Sequence, residues 1–271
     1  MVKSVRNSKD VSLSQLISLS GKKALITGSG SGIGEALAYR FAEAGANLDL
    51  VDIDETSILK VKQELSHFKR TVDIHRIDLS RKAEIDSLWR ELEGKEPDIL
   101  VNNAGIYPSK PFTEVDERFL AKVMDVNLNS VFWMCQHMVK SRLNRGGIII
   151  NIGSIEAVMP LKEELSHYGI SKGGVMILSR ALASEYGKHG FRINVLVPGG
   201  TWTKGTRSVA RDVMKMKFGL IKSGVEYGIR TPLGRLADPD EIARMGLVLA
   251  TDLSIYVNGA LIPVDGGFLS A

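Results

Sequence analysis

Cysteine is almost absent from this chain of 271 residues, where Cys135 stands alone. An internal disulfide is excluded, as is any metal cluster built on cysteine ligands, and a reducing cytoplasmic setting is the expectation. Long apolar runs are missing, and residues 1–20 lack the apolar centre of a secretion signal, so no membrane association is expected. Charge of one sign is never concentrated. The formal net charge of +4 is spread along the chain without a basic run, which argues against a nucleic-acid partner. Glutamine occurs only at Gln15, Gln63 and Gln136, a composition associated with heat tolerance. Nothing reads as a linker between independent units, so one domain spanning 21–271 is expected behind a loosely held N-terminal arm, 1–20.

What the chain does have is glycine, and most tellingly the stretch ALITGSGSGIG at 24–34. A buried strand at 24–27 runs into a glycine-rich turn, and a helical pattern follows from Gly34. Residues without a Cβ let the backbone approach a pyrophosphate, and the free N–H groups of a helix start favour its charge. Gly28, Gly32 and Gly34 give the spacing T-G-x-x-x-G-I-G. Further apolar runs at 47–51, 72–77, 99–102, 147–152 and 191–197 alternate with amphipathic segments at 55–68, 81–93, 116–144 and 168–189. Apolar strands each followed by a helix describe an α/β fold, a doubly wound parallel sheet with helices on both faces. A last strand, 260–264, contains Pro263 and belongs at a sheet edge, because proline cannot donate to a ladder. Asp238, Pro239, Asp240 and Glu241 read as a helix start.

In such a sheet a ligand sits beyond the carboxyl ends of the strands. After the second strand, Asp52 is placed to bind adenosine ribose hydroxyls, while Asp54 caps the next helix. A carboxylate at Asp52 would repel a 2′-phosphate, and Ser31 before Gly32 brings no cation, so NAD is preferred over NADP as cofactor. After the third strand, Asp78 and Leu79 lie where an adenine edge would fall, although Asp78 could equally begin a turn. The fourth strand ends in Asn102, Asn103, Ala104 and Gly105, small residues that let a cofactor pass and amides that can tie neighbouring turns together. Ser154 follows the fifth strand. Tyr168 and Lys172 sit four apart and project from one helix face. A phenol of pKa roughly 10 is a poor acid or base at neutral pH, and an ammonium one turn away would lower it toward the working range. Ser154 can hold a substrate oxygen beside that phenol while a hydride moves.

These motifs, taken in order, resemble those of the short-chain dehydrogenase/reductase superfamily, of the single-domain type. The resemblance runs over residues 19–268 and rests on TGSGSGIG at 27–34, NNAG at 102–105, Asn127 in DVNLNS, Ser154, Tyr168 with Lys172, and PGGTWT at 198–203. It implies a Rossmann fold, with Tyr168 as general acid/base and Ser154 polarising the reacting oxygen. Lys172 would bind the nicotinamide ribose and tune Tyr168. Asn127 would interrupt its helix to hold a water on a proton path from Lys172. The cofactor would be held by Gly28, Ser31, Gly32, Ile33, Gly34, Asp52, Ile53, Asp78, Leu79, Asn103, Ala104 and Gly105, and by Tyr168 and Lys172. Pro198 and Gly199 would lie near the nicotinamide, Thr201 would give its N–H to the carboxamide, and Thr203 its hydroxyl to a phosphate. Two departures stand out: Thr201 replaces a branched apolar residue common there, and Ser154 and Tyr168 are fourteen residues apart, one more than usual. The resemblance also implies a homotetramer or dimer built through the two long helices and the last strand.

The expected activity is hydride transfer between a nicotinamide cofactor and a secondary alcohol or ketone, with a sugar or polyol, a 3-oxoacyl compound or another small carbonyl as substrate. Candidate pocket walls are Ser154, Glu156, Tyr168 and Trp202, together with Ile106, Tyr107, Met159 and His167. Glu156 and His167 allow a polar substrate, whereas Trp202 allows an apolar one. The segment 204–227, inside a substrate loop at about 201–231, reads either as a lid or as a helix packed on the core or a neighbouring subunit. Two rival functions have the same fold. A catalytically idle nucleotide-binding regulator is disfavoured by the intact Asn127, Ser154, Tyr168 and Lys172 set, and a sugar-nucleotide epimerase or dehydratase normally needs a longer region after Pro198.

Overall fold

The structure is a computed structural model that describes residues 11–203 and 230–271. The expected lid segment, 204–227, lies outside the described residues, as does the start of the N-terminal arm. Seven strands form one all-parallel sheet: β1 (Lys23–Thr27), β2 (Asn47–Asp52), β3 (Val72–Arg76), β4 (Ile99–Asn102), β5 (Gly147–Ile152), β6 (Phe191–Pro198) and β7 (Leu261–Val264). Their order is β3-β2-β1-β4-β5-β6-β7. The sequence order reverses between β1 and β4, which opens a crevice at the strand ends, where ligands bind in open sheets of this kind. Pro263 pairs with Val197 on the outermost strand, as its missing N–H requires.

Eight helices occur among the described residues: α1 (Leu13–Leu16), α2 (Gly32–Glu43), α3 (Glu55–Glu64), α4 (Lys82–Glu91), α5 (Glu117–Met124), α6 (Ser130–Arg142), α7 (Ser166–Tyr186) and α8 (Pro239–Ala250). One face of the sheet packs Ile26, Leu48, Leu50 and Ile150 against Leu37 and Phe41 of α2 and Ile242 and Leu249 of α8. The other packs Leu25, Leu100 and Ile149 against Trp89, Met134 and Val175 of α4, α6 and α7. Strands covered on both sides explain why they read as continuous apolar runs. None of the described helices is long and apolar enough to cross a membrane.

Two features bear on the sequence expectation. The described part of the arm is mostly exposed and is tied down at Leu19, which is buried and whose N–H donates to the Ala44 carbonyl, while Ser12 caps the short α1 with a capping box. The amphipathic segment 116–144 forms two helices, α5 and α6, separated by a π turn, Asp125–Asn129, so the break falls at Asn127, where the resemblance implies one. Such turns change the direction of a helix locally and often mark functional sites.

Candidate active site

The glycine turn is fixed from below by the loop after β4. Asn103 Nδ2 donates to the Thr27 and Gly28 carbonyls at 3.0 and 2.9 Å, while Thr27 Oγ1 accepts from the Asn103 and Ala104 N–H groups at 2.9 and 3.1 Å. Gly34 is set by this packing, since a Cβ there would lie 2.1 Å from the Gly28 carbonyl oxygen. Gly32 has a positive φ of 60°, and the Thr203 methyl stands 3.1 Å from where its Cβ would be. Thr203 thus sits over the turn. Ser31 precedes α2 in an extended conformation without a side-chain cap bond, and Ile33 and Gly34 follow in its first turn.

Asp52, at the end of β2, accepts from the Gly30 N–H at 2.9 Å and the Asp54 N–H at 3.1 Å. Two backbone donors aim and hold this carboxylate. Asp54 caps α3, accepting from the Ser57 N–H at 3.3 Å. Gly30, which the sequence analysis does not single out, is required here because a Cβ would meet Ser57 Cβ at 2.7 Å and Asp52 Oδ2 at 3.0 Å. Ile53 is exposed beside Asp52. Asp78 is a turn residue: its carboxylate accepts from the Ser80 N–H and hydroxyl at 3.0 and 2.7 Å, and its own N–H donates to Glu84. Leu79 is buried with Ile85 and Leu88.

Ser154, Tyr168, Lys172 and Asn127 converge at the ends of β4 and β5. Asn127 is fully buried inside the π turn, where Nδ2 donates to the Ile106 carbonyl at 2.8 Å and to Ser171 Oγ at 3.1 Å, and Oδ1 accepts from the Ile106 N–H at 2.8 Å. Ser171, a second residue not singled out in advance, donates to the Tyr168 carbonyl at 2.7 Å and so links Asn127 to the first turn of α7. Gly105 leaves the space beside Asn127: a Cβ would come 3.3 Å from Asn127 Oδ1 and 3.5 Å from Lys172 Nζ.

Lys172 is buried and its Nζ donates to the Ile152 carbonyl at 2.8 Å. Burial pulls this ammonium down to about 8. Burial pushes the Tyr168 phenol up to about 12, opposed by a hydrogen bond with Ser154 and reinforced by the neighbouring Tyr107 phenol and the charge of Glu156. Bringing both groups out of water disfavours the charge on each.

Tyr107 packs its ring edge-on to Tyr168 with centroids 6.1 Å apart and shares a hydrogen bond with Thr203. His167 is buried, bonded through Nε2 to the Pro108 carbonyl at 2.7 Å and edge-on to Phe119. Glu156 belongs to the turn after Ser154, with its carboxylate accepting from the Leu161 N–H at 2.9 Å. Pro198 ends β6, and the Gly199 N–H donates to the Val264 carbonyl. Thr201 is buried and forms a bridge with Ala237, and the Trp202 N–H donates to the Ala237 carbonyl. That bridge turns Trp202 outward. It lines a hollow of about 660 Å³ with Tyr39, Arg40, Glu64 and Asp238 on the outer side of α2, which corrects its expected place beside Ser154 and Tyr168.

A doubly wound sheet with a glycine turn at its switch point and a buried Ser, Tyr and Lys group at the same strand ends defines a dinucleotide-type oxidoreductase site. A family model described as enoyl-(acyl carrier protein) reductase matches residues 28–269. The galactitol 2-dehydrogenase (L-tagatose-forming) of Cereibacter sphaeroides is 34% identical over 253 residues, covering 92% of this chain and 96% of that one. The 2-dehydro-3-deoxy-D-gluconate 5-dehydrogenase of Bacillus subtilis is 36% identical, covering 95% and 98%. Among solved structures, a gluconate 5-dehydrogenase from Burkholderia cenocepacia, in complex with NADP and tartrate, is 31% identical with a TM-score of 0.86, covering 95% and 99%. The chain belongs to the short-chain dehydrogenase/reductase superfamily. It is an oxidoreductase of CH–OH groups.

Proposed function

We propose that the protein moves a hydride between a nicotinamide cofactor and a secondary alcohol or its ketone, with Tyr168 as the proton donor and acceptor. The observation that carries this reading is the hydrogen bond between Ser154 and Tyr168 at the ends of β4 and β5, with Lys172 and Asn127 buried behind it. Gly28, Gly32, Ile33 and Gly34 would hold the pyrophosphate, and Asn103, Ala104 and Gly105 would line the path beyond it. The Gly32 cradle, which a side chain would fill, fits such a group. When bound, the nicotinamide takes or gives the hydride, and its oxidised form brings a positive charge that favours phenolate. Ser154 fixes the reacting oxygen against the Tyr168 hydroxyl, and its hydrogen bond already opposes the cost of phenolate formation. Lys172 would bind the nicotinamide ribose, and Asn127 fixes Ile106 and the first turn of α7 beside the proton route. Pro198, Gly199 and Thr201 would hold the nicotinamide end, and Thr203 would give its hydroxyl to a phosphate.

Asp52 supports NAD over NADP, because its carboxylate is aimed by the Gly30 and Asp54 N–H groups where ribose hydroxyls would donate and a 2′-phosphate would be repelled. The NADP held by the gluconate 5-dehydrogenase supports the second reading. Titration separates them: NADH binding more tightly than NADPH is expected, and the reverse order removes Asp52 as the selector. The polyol and sugar-acid names of the relatives support a hydroxylated substrate. Incubating the protein with NAD and secondary alcohols, polyols, steroids and 3-hydroxyacyl compounds should raise the absorbance of reduced nicotinamide for at least one class. No rise with any class, in either direction and with either dinucleotide, contradicts the assignment. A homotetramer or dimer through the long helices and β7 completes the proposal, supported by Ile170 and Ile177 exposed on α7.

A further inference from the structure

The substrate side of Tyr168 carries an acidic group that the hydride-transfer reaction does not use. Glu156 lies in the short turn Ile155–Ala157, and its N–H donates to Ser154 Oγ at 3.2 Å, so the turn is fastened to the residue that holds the reacting oxygen. The carboxylate accepts from the Leu161 N–H at 2.9 Å and from the Lys162 N–H, which fix the side-chain direction, and the Lys162 ammonium acts on it through its charge. The carboxylate charge raises the pKa of the Tyr168 phenol. Tyr107, in turn, is held in place by its ring contact with Tyr168 and its bond to Thr203. A half-buried carboxylate is an acceptor that rewards a hydroxyl donor, repels an anion and gains nothing from a methylene.

We propose that Glu156 selects substrates bearing a hydroxyl on the carbon next to the reacting carbinol, so that the chain oxidises vicinal diols of the polyol kind and reduces α-hydroxy ketones. The proposal rests on Tyr168 as acid/base. The reacting carbon gives its hydride, with both electrons, to the oxidised nicotinamide, and its O–H proton passes to Tyr168 in the phenolate form that the positive nicotinamide favours. The neighbouring hydroxyl makes and breaks no covalent bond; it donates to Glu156 and orients the carbon skeleton. Glu156 is thus a specificity residue, distinct from the loop brace that its bonds to Leu161 and Lys162 alone would make it. A brace would affect all substrates alike.

The test compares butane-2,3-diol with butan-2-ol, which differ by one hydroxyl, using the full chain with NAD. The diol should have the higher kcat/KM by about tenfold to a hundredfold, the range of one hydrogen bond to a charged group. Glu156→Gln should shrink that ratio several-fold and Glu156→Ala should bring it near one. A wild-type ratio near one overturns the proposal without any variant, which covers the case of variants that do not fold. A ratio unchanged in folded Glu156→Gln and Glu156→Ala also overturns it. Tyr168→Phe separates the two layers. Loss of turnover on both alcohols, with NADH still bound, keeps the reaction assignment standing whatever the ratio does, whereas retained turnover defeats that assignment.

Discussion

The two halves of the site are built from different materials. On the β1–β2 side the work is done by backbone: a glycine turn locked by Asn103 and Thr27, with Asp52 aimed by two N–H groups. On the β4–β5 side it is done by buried side chains, and what they can do depends on how far burial has moved their ionisation. The first half is set by shape and tolerates no added atoms. The second is set by desolvation and responds to pH.

The largest effect that would sharpen this contrast is steric. Gly34→Ala places a methyl against the Gly28 carbonyl and should destabilise the fold by about 3 kcal/mol, seen as a lower midpoint in urea unfolding. A variant as stable as wild type breaks the description of the turn. Asp52→Ala comes next. Loss of the aimed carboxylate should move the ratio of NADPH to NADH affinity by about tenfold or more toward NADPH.

The other half is probed through proton linkage. The Lys172 pKa falls from 10.5 unfolded to about 8 folded, so the unfolded chain binds more protons between those values. This contribution to stability is fully present above 10.5 and is lost as pH falls through 8. The stability of wild type relative to Lys172→Met should therefore rise between pH 8 and 10, measured by denaturant unfolding at each pH. A difference that stays flat places the ammonium in a more hydrated site. Tyr168 runs the opposite way: its pKa rises from 10 to about 12, so its contribution is present below 10 and is lost as pH climbs through 12. The smallest effect is at Asp54, where Asp54→Ala should cost about 1 kcal/mol as a lost helix cap and leave dinucleotide selectivity in place.

The backbone half was the more legible in the sequence. Strand apolarity, glycine spacing, the helix cap at Asp54 and the edge position of the strand holding Pro263 all follow from local rules. The side-chain half was legible in its members and not in its state. The π turn at Asp125–Asn129 exists because Asn127 bonds Ile106 and Ser171, partners far along the chain that no helical periodicity reveals. Trp202 pointed away from the expected wall because the Thr201–Ala237 bridge turns the strand end outward. The spacing of Tyr168 and Lys172 announced an ion-assisted phenol. It could not announce that both groups sit where water is excluded, or that Lys172 is bonded to Ile152.

Hydride transfer in Tyr168→Phe tests the account most directly, followed in a single turnover with the dinucleotide already bound. The account predicts that NADH binding persists, because the glycine turn and Asp52 are untouched, while the rate of ketone reduction falls by about a hundredfold to ten-thousandfold, the usual contribution of a positioned acid/base group. A Tyr168→Phe protein that reduces the ketone at the wild-type rate would contradict it.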